Sequence, residues 1–295
     1  MKPVIRILLT VLTLVPLAAA ASEPSKLDRT AASVQVLVDE AAADGIRVSV
    51  GLADISGGDG GTRIVGSQDS YNPASTIKLA LLAAAMRQVD RGMLNLDAPI
   101  SISPYMVVGG SGDLQNQDMP HTTTVGDVAR RMVVHSDNTA TNVLLYLVGL
   151  PTVQALLDDL GLETMKFNRQ MFPGDKIPQP ANVIDTADTL ALLQAIYADD
   201  LLSEASRTLV LDWMRAQEVN TKFGAVLEHD YIAHKTGETG KVTHDVGYFL
   251  VPGSETIVAV FTEVEASSGY AETMRIGNPV VQKLAAAIHA ELASE

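Results

Sequence analysis

Residues 231–265, YIAHKTGETGKVTHDVGYFLVPGSETIVAVFTEVE, read as three consecutive strands. Tyr231–Lys235, Val242–Val251 and Thr256–Glu265 are rich in β-branched and aromatic residues, and Gly, Pro and Ser turns separate them, as in an antiparallel meander. Downstream, Val281, Leu284, Ala285, Ile288 and Leu292 recur at helical spacing, which predicts a helix over Val280–Leu292 with one buried face. Upstream the pattern is helical for a long way. Ser75–Arg91, Thr124–His135, Thr141–Val148, Thr152–Leu160, Asp185–Ala198 and Ser203–Gln217 each open on a plausible capping residue.

Strands return nearer the N-terminus. Leu27–Asp44 carries a single apolar stripe, Ile46–Ile55 alternates with Ile46, Val48, Val50 and Leu52 on one face, and Thr62–Val65 follows a Gly57-Gly58-Asp59-Gly60-Gly61 turn. That glycine run lacks the Lys-Ser/Thr of a phosphate-binding loop and is read as a turn. The expected fold is α+β, an α/β sandwich. One antiparallel sheet takes strands from both ends of the chain, the terminal helices flank one face, and an all-α lobe covers the other. The sheet lobe spans about residues 25–70 and 220–295 and the helical lobe about 71–219, with a ligand cleft between them.

Composition narrows the partners. With 295 residues, 47% hydrophobic and 19% charged, the chain can bury a large core. Its 21 Lys and Arg against 35 Asp and Glu leave a net charge of −14, which argues against nucleic acid or anionic membrane as a partner. The absence of Cys excludes disulfides, thiolate metal sites and a thiol nucleophile. None of the six His stands in a metal-ligand spacing, so no metal or cofactor is expected. Residues 1–21 read as an export signal: Lys2 and Arg6, an apolar run from Ile7 to Leu17, then Ala18 to Ala21. The expected product is a periplasmic monomer, residues 22–295, with no lipid-anchor cysteine and no membrane segment once the signal is removed.

Three short motifs carry the chemistry: Ser75-Thr76-Ile77-Lys78, Ser136-Asp137-Asn138 and Lys235-Thr236-Gly237. Singly, each has a plain structural reading: an N-cap with a solvated lysine, a capping loop, and a strand ending in a turn. Ser-x-x-Lys alone arises by chance about once per chain of this length, and a given tripeptide in roughly one chain in twenty. Their joint order and spacing are far more specific.

With its flanks, Tyr71-Asn72-Pro73-Ala74 before Ser75, Thr139-Ala140-Thr141-Asn142 after Asn138 and His234 before Lys235, the chain resembles the serine β-lactamase and penicillin-binding protein superfamily. The resemblance is strongest to class A β-lactamase-like proteins and covers nearly all of the chain after the signal. It implies that Ser75 is the nucleophile, Lys78 its base and Ser136 a proton relay to the leaving nitrogen. Asn138 would hold the substrate amide, and Lys235, Thr236 and Gly237 would hold a substrate carboxylate and backbone. The backbone N–H groups of Ser75 and Glu238 would form the oxyanion hole.

Elementary chemistry agrees with those residue types. A serine opening a helix lies on the same face as a lysine three residues on, within reach of its amine. Lysine becomes a base only if its pKa falls, and desolvation and a second cation, Lys235, both push it down.

Two features depart from the family. The loop glutamate that activates the deacylating water is missing from Leu162–Asp185, where Asp175 is a weak substitute and Glu163 a weaker one. Glu238, beside Lys235 and Thr236, would partly offset the field that attracts a carboxylate. Asp137 is expected to hold its loop rather than to react, and Gly109-Gly110-Ser111-Gly112 to form a mobile loop or a cleft rim. The expected activity is opening of β-lactam rings through a Ser75 acyl-enzyme with slow deacylation. The alternatives are a D,D-peptidase, amidase or esterase acting on peptidoglycan-like acyl substrates, or a penicillin-binding protein that never turns over.

Overall fold

The computed structural model describes residues 24–58, 61–172, 174 and 179–294. The export-signal reading and Asp175 fall outside the described residues. In chain order the regular elements are α1 (Lys26–Ala43), β1 (Ile46–Asp54), β2 (Thr62–Gly66), α2 (Lys78–Asp90), β3 (Pro99–Ile102), β4 (His121–Thr124), α3 (Val125–Val134) and α4 (Asn138–Val148). There follow α5 (Leu150–Asp159), α6 (Thr186–Tyr197), α7 (Glu204–Arg215), β5 (Ile232–Glu238), β6 (Thr243–Phe249), β7 (Thr256–Val264) and α8 (Tyr270–Ala293).

Five strands form one antiparallel sheet in the order β2-β1-β7-β6-β5. The two ends of the chain meet in its middle, where β1 pairs with β7 from Ile46↔Val264 to Asp54↔Thr256. Strand alternation divides the side chains between two cores. Ile46, Val48, Val50 and Leu52 of β1 join Val258 and Val260 of β7 under α1 and α8, where Val34, Val281, Leu284 and Ile288 cover them. On the other face Ile257, Ala259 and Phe261 meet the helical lobe. There Ser49 Oγ lies 2.6 Å from Thr186 Oγ1 at the start of α6. Full burial of an aliphatic side chain contributes about 1.5–3 kcal/mol, so both faces stabilise the sheet that bears the third motif.

Four local expectations change. α8 begins at Tyr270, ahead of the expected Val280, and runs through Pro279. Packing overrides the local breaker: a β-carbon at Gly277 would be 2.5 Å from Thr243 Cγ2, and Thr243 Oγ1 donates to Asn278 Oδ1 at 2.7 Å. α4 begins at Asn138 rather than Thr141, because the Asp137 carboxylate accepts the Ala140 N–H at 2.8 Å. Ser75 stands in a 3₁₀ turn, Ala74–Ile77, and α2 proper starts at Lys78. β3 and β4 form a short extra ladder, too brief and too exposed to show in the hydrophobic pattern. Among the described residues no single helix is long and apolar enough to cross a membrane.

Candidate active site

The three motifs converge where the sheet meets the helical lobe. The turn of Ser75 packs against β5, so Ser75 leads into α2 while resting on the strand of Lys235-Thr236-Gly237. A β-carbon at Gly237 would lie 2.9 Å from Pro73 O and 3.0 Å from Ser75 N. The protein's own nucleophile turn is therefore one reason for glycine here, beside the room expected for substrate backbone.

Lys78 is fully buried. Its Nζ donates to Ser136 O at 2.7 Å and Asn138 Oδ1 at 2.9 Å and stands 3.3 Å from Ser136 Oγ. Lys235, equally buried, donates to the same Ser136 Oγ at 3.0 Å and to Thr236 O at 2.9 Å. Burial drives the Lys78 ammonium well below its ordinary value, with the charge of Lys235 pushing the same way and that of Asp137 opposing. Burial likewise pushes Lys235 down to about 7. Two amines on one hydroxyl in a dry site cannot both stay charged cheaply, which leaves one of them available as a base.

Among the described residues, no hydrogen bond joins Lys78 Nζ to Ser75 Oγ. The tight turn presents Ser75 to the cleft and leaves Lys78 behind it, on the partners offered by the α3–α4 junction. Hydrogen bonds of this kind commonly tighten only with substrate in place.

Ser136 is held at φ 53°, a left-handed conformation that costs a non-glycine residue of order 1 kcal/mol. Asp137 fixes that geometry, accepting from Leu114 N at 2.9 Å as well as from Ala140 N, which matches the structural part expected of it. Asn138 Nδ2 donates to Gly109 O at 3.1 Å, so one amide hydrogen stays free for a ligand. The Gly109–Gly112 segment forms the cleft rim: Gly110 and Ser111 line it, and Ser111 O accepts from Asn138 N at 3.1 Å.

The cleft has a volume of about 700 Å³, and Ser75, Asn138, Phe172, Glu238 and Tyr270 lie on its wall. Glu163 is exposed and lies off the cleft. From the loop of 162–185, Arg169, Gln170, Met171, Phe172, Ala181 and Asn182 reach the wall; Phe172 is 63% exposed, at φ 48°, with its ring against Gly110. Asn142 and Asn182, which the sequence reading left without a role, pin this loop. Asn142 exchanges two hydrogen bonds with the backbone of Met171, at 2.8 and 2.9 Å, while Asn182 Oδ1 accepts from Asn168 N and Arg169 N. Asn142 belongs to the second motif segment, which was the available signal.

Among the described residues Glu238 is the one carboxylate lining the cleft, and it is already engaged. It pairs with the fully buried Lys222 and accepts from Tyr270 Oη at 3.2 Å. Although burial raises its pKa, Lys222 outweighs that and holds the carboxyl below its ordinary value. The expected offset of the field by Glu238 is thus itself offset, by a lysine that no motif pointed to.

Similarity to known proteins follows the same lines. The sequence model of the beta-lactamase enzyme family matches residues 29–292. Beta-lactamase AER-1 of Aeromonas hydrophila is 30% identical over 250 residues, covering 82% of this chain and 81% of that protein. A beta-lactamase from Sphaerobacter thermophilus superposes with a TM-score of 0.78 at 29% identity, over 88% of this chain and 97% of that one. A mutant of PBP-A, solved as an acyl-enzyme complex with penicillin G, superposes with a TM-score of 0.77 at 26% identity, over 90% and 96% of the two chains.

Proposed function

The chain belongs to the beta-lactamase enzyme family, and on that footing we propose that it opens β-lactam rings as a class A-like serine hydrolase. The observation that carries the reaction path is the convergence of Lys78 and Lys235 on the Ser136 hydroxyl. Neutral Lys78 takes the Ser75 proton, Ser75 Oγ bonds to the lactam carbonyl carbon, and the C–N bond breaks as Ser136 passes its proton to the leaving nitrogen and is reprotonated by Lys78, which is neutral again. The N–H groups of Ser75 and Glu238 hold the oxyanion. Asn138 holds the substrate amide, while Lys235 and Thr236 hold its carboxylate. Water then splits the ester and returns the proton to Ser75.

That last step is slow in this reading. Phe172 stands on the cleft wall, and the carboxylate of Glu238 is bound to Lys222. The same observations support a second reading, a penicillin-binding protein that acylates on β-lactams or peptidoglycan-like acyl groups and releases them poorly. Export to the periplasm after loss of residues 1–21, supported by the signal-like sequence, and a monomeric state complete the proposal.

Mixing the protein with a chromogenic cephalosporin and following product and intact mass tests the reading. Turnover through a transient adduct, absent in Ser75→Ala, is the expected result. A permanent adduct gives the second reading, and no adduct of any kind refutes both.

A further inference from the structure

We propose that His244, outside all three motifs, is a positioning residue that sets the separation of the two halves of the oxyanion hole. The inference rests on the acyl-enzyme reading above and adds a residue to it. His244 is the register partner of Gly237 across β5 and β6, so their side-chain positions share one face of the sheet. On that face lies the turn that carries Ser75. Gly237 lets the turn come close, with Pro73 O and Ser75 N about where its β-carbon would contact them. His244 pins the same turn, its Nε2 lying 2.9 Å from Asn72 O.

The ring has a single defined role for each nitrogen. Thr262 N–H donates to Nδ1 at 3.1 Å, so Nδ1 carries no proton, and Nε2–H is the donor to Asn72 O. The imidazole is fully buried, and burial pushes its pKa down to about 4, which keeps it neutral with this one tautomer. Edge contacts from Tyr71 and Phe261, at ring centroid distances of 5.7 and 4.8 Å, fix its plane.

The sheet departs from regularity to make this arrangement. Ladder pairing of β6 with β7 runs from Asp245↔Val260 to Phe249↔Thr256 and returns only as an isolated bridge at Val242↔Glu263. In the gap the backbone N–H of Thr262 goes to an imidazole. Asn72 then transmits the constraint, because its Oδ1 accepts from Ala74 N at 2.9 Å and Ala74 is held at φ 47° directly before Ser75. A continuous path therefore runs from β7 through His244 and Asn72 to the Ser75 amide. The other half of the hole, the Glu238 amide, is one residue from Gly237 on β5.

The test uses the full chain acylated by a slowly released penicillin, with the ester carbonyl band read by infrared difference spectroscopy alongside the acylation rate and thermal melting. His244→Phe keeps the volume and loses the donor. It is expected to slow acylation about tenfold or more and to move the carbonyl band to higher wavenumber, because a misplaced donor polarises the carbonyl less. His244→Gln, whose amide nitrogen can occupy the Nε2 position, should recover most of the rate and the parent band. If both variants melt earlier but keep the parent's band and acylation rate, His244 is only structural and the inference is wrong.

Should His244→Phe not fold, the parent decides through nitrogen-edited NMR. An Nε2–H tautomer whose proton resonance moves when Ser75 is acylated supports the proposal, and an Nδ1–H tautomer or an unmoved resonance overturns it. Failure of the parent to acylate at all would refute the proposed function, a result visible separately in the intact mass.

Discussion

Gly237 and Ser75 stand so close that a β-carbon on the first would lie 3.0 Å from the backbone nitrogen of the second. With Pro73 O at 2.9 Å from the same position, this contact leaves no room for a side chain between the nucleophile turn and the strand of the third motif. Gly237→Ala must push the Pro73–Ser75 turn away by some tenths of an ångström. The expected outcome is a drop in acylation rate on the order of 10²-fold, the scale of a small misplacement of reacting groups. Stopped-flow acylation measurements check this, with a thermal melt close to the parent's showing that the loss lies in the site.

Lys235 should make the protein less stable at neutral pH than the same fold without it. Its pKa is about 7 in the folded chain against 10.5 ordinarily, so between those values the unfolded chain carries a proton that the folded chain has released. Stability therefore rises with pH across that window, and the full penalty applies below about 7. Lys235→Met should gain on the order of 1 kcal/mol or more at pH 7, while losing acylation, and the gain should shrink as pH climbs toward 10. Urea midpoints of both proteins at the two pH values measure this; a gap that widens with pH contradicts it.

Glu238 and Lys222 act in the opposite sense. Removing the carboxylate leaves a buried ammonium without its partner, so Glu238→Gln should destabilise by about 3–5 kcal/mol. Lys222→Met combined with Glu238→Leu should lose clearly less than the two single changes together. Because the folded-state pKa of Glu238 is lowered, its contribution is present above the ordinary carboxyl value of 4.5 and fades as pH falls below it. A double-mutant cycle in urea at pH 7 and again in acid reads both effects.

Phe172 governs the life of the acyl-enzyme if the loop of 162–185 supplies no base of its own. Phe172→Glu would set a carboxylate on the cleft wall beside Asn138 and Gly110. The adduct on Ser75 should then decay on the order of 10²-fold faster, the lower end of general-base effects. Intact mass against time after removal of free penicillin follows the decay, and an unchanged half-life removes Phe172 from the account.

Most of the secondary structure and the three motifs were legible because their causes are local. Alternation in β1, apolar stripes in α1 and α8, and capping residues such as Thr124, Asp185 and Ser203 all act within a few residues of themselves. The start of α8 was misread for the same reason. Asn278-Pro279 looks like a stop, and only the seat of Gly277 on Thr243 shows why the helix continues.

The serine, the lysines and their order along the chain are covalent facts, so residue types and spacing sufficed to name the reacting groups and the kind of fold that brings such segments together. What they could not contain is the set of partners that distant segments give one another once packed. Lys222 reaching Glu238, His244 reaching Asn72, and Lys78 bonded to Ser136 instead of Ser75 each join residues brought together by the packing of sheet and helical lobe. Desolvation acts through that packing too, and it turns two ordinary lysines into amines able to give up their charge.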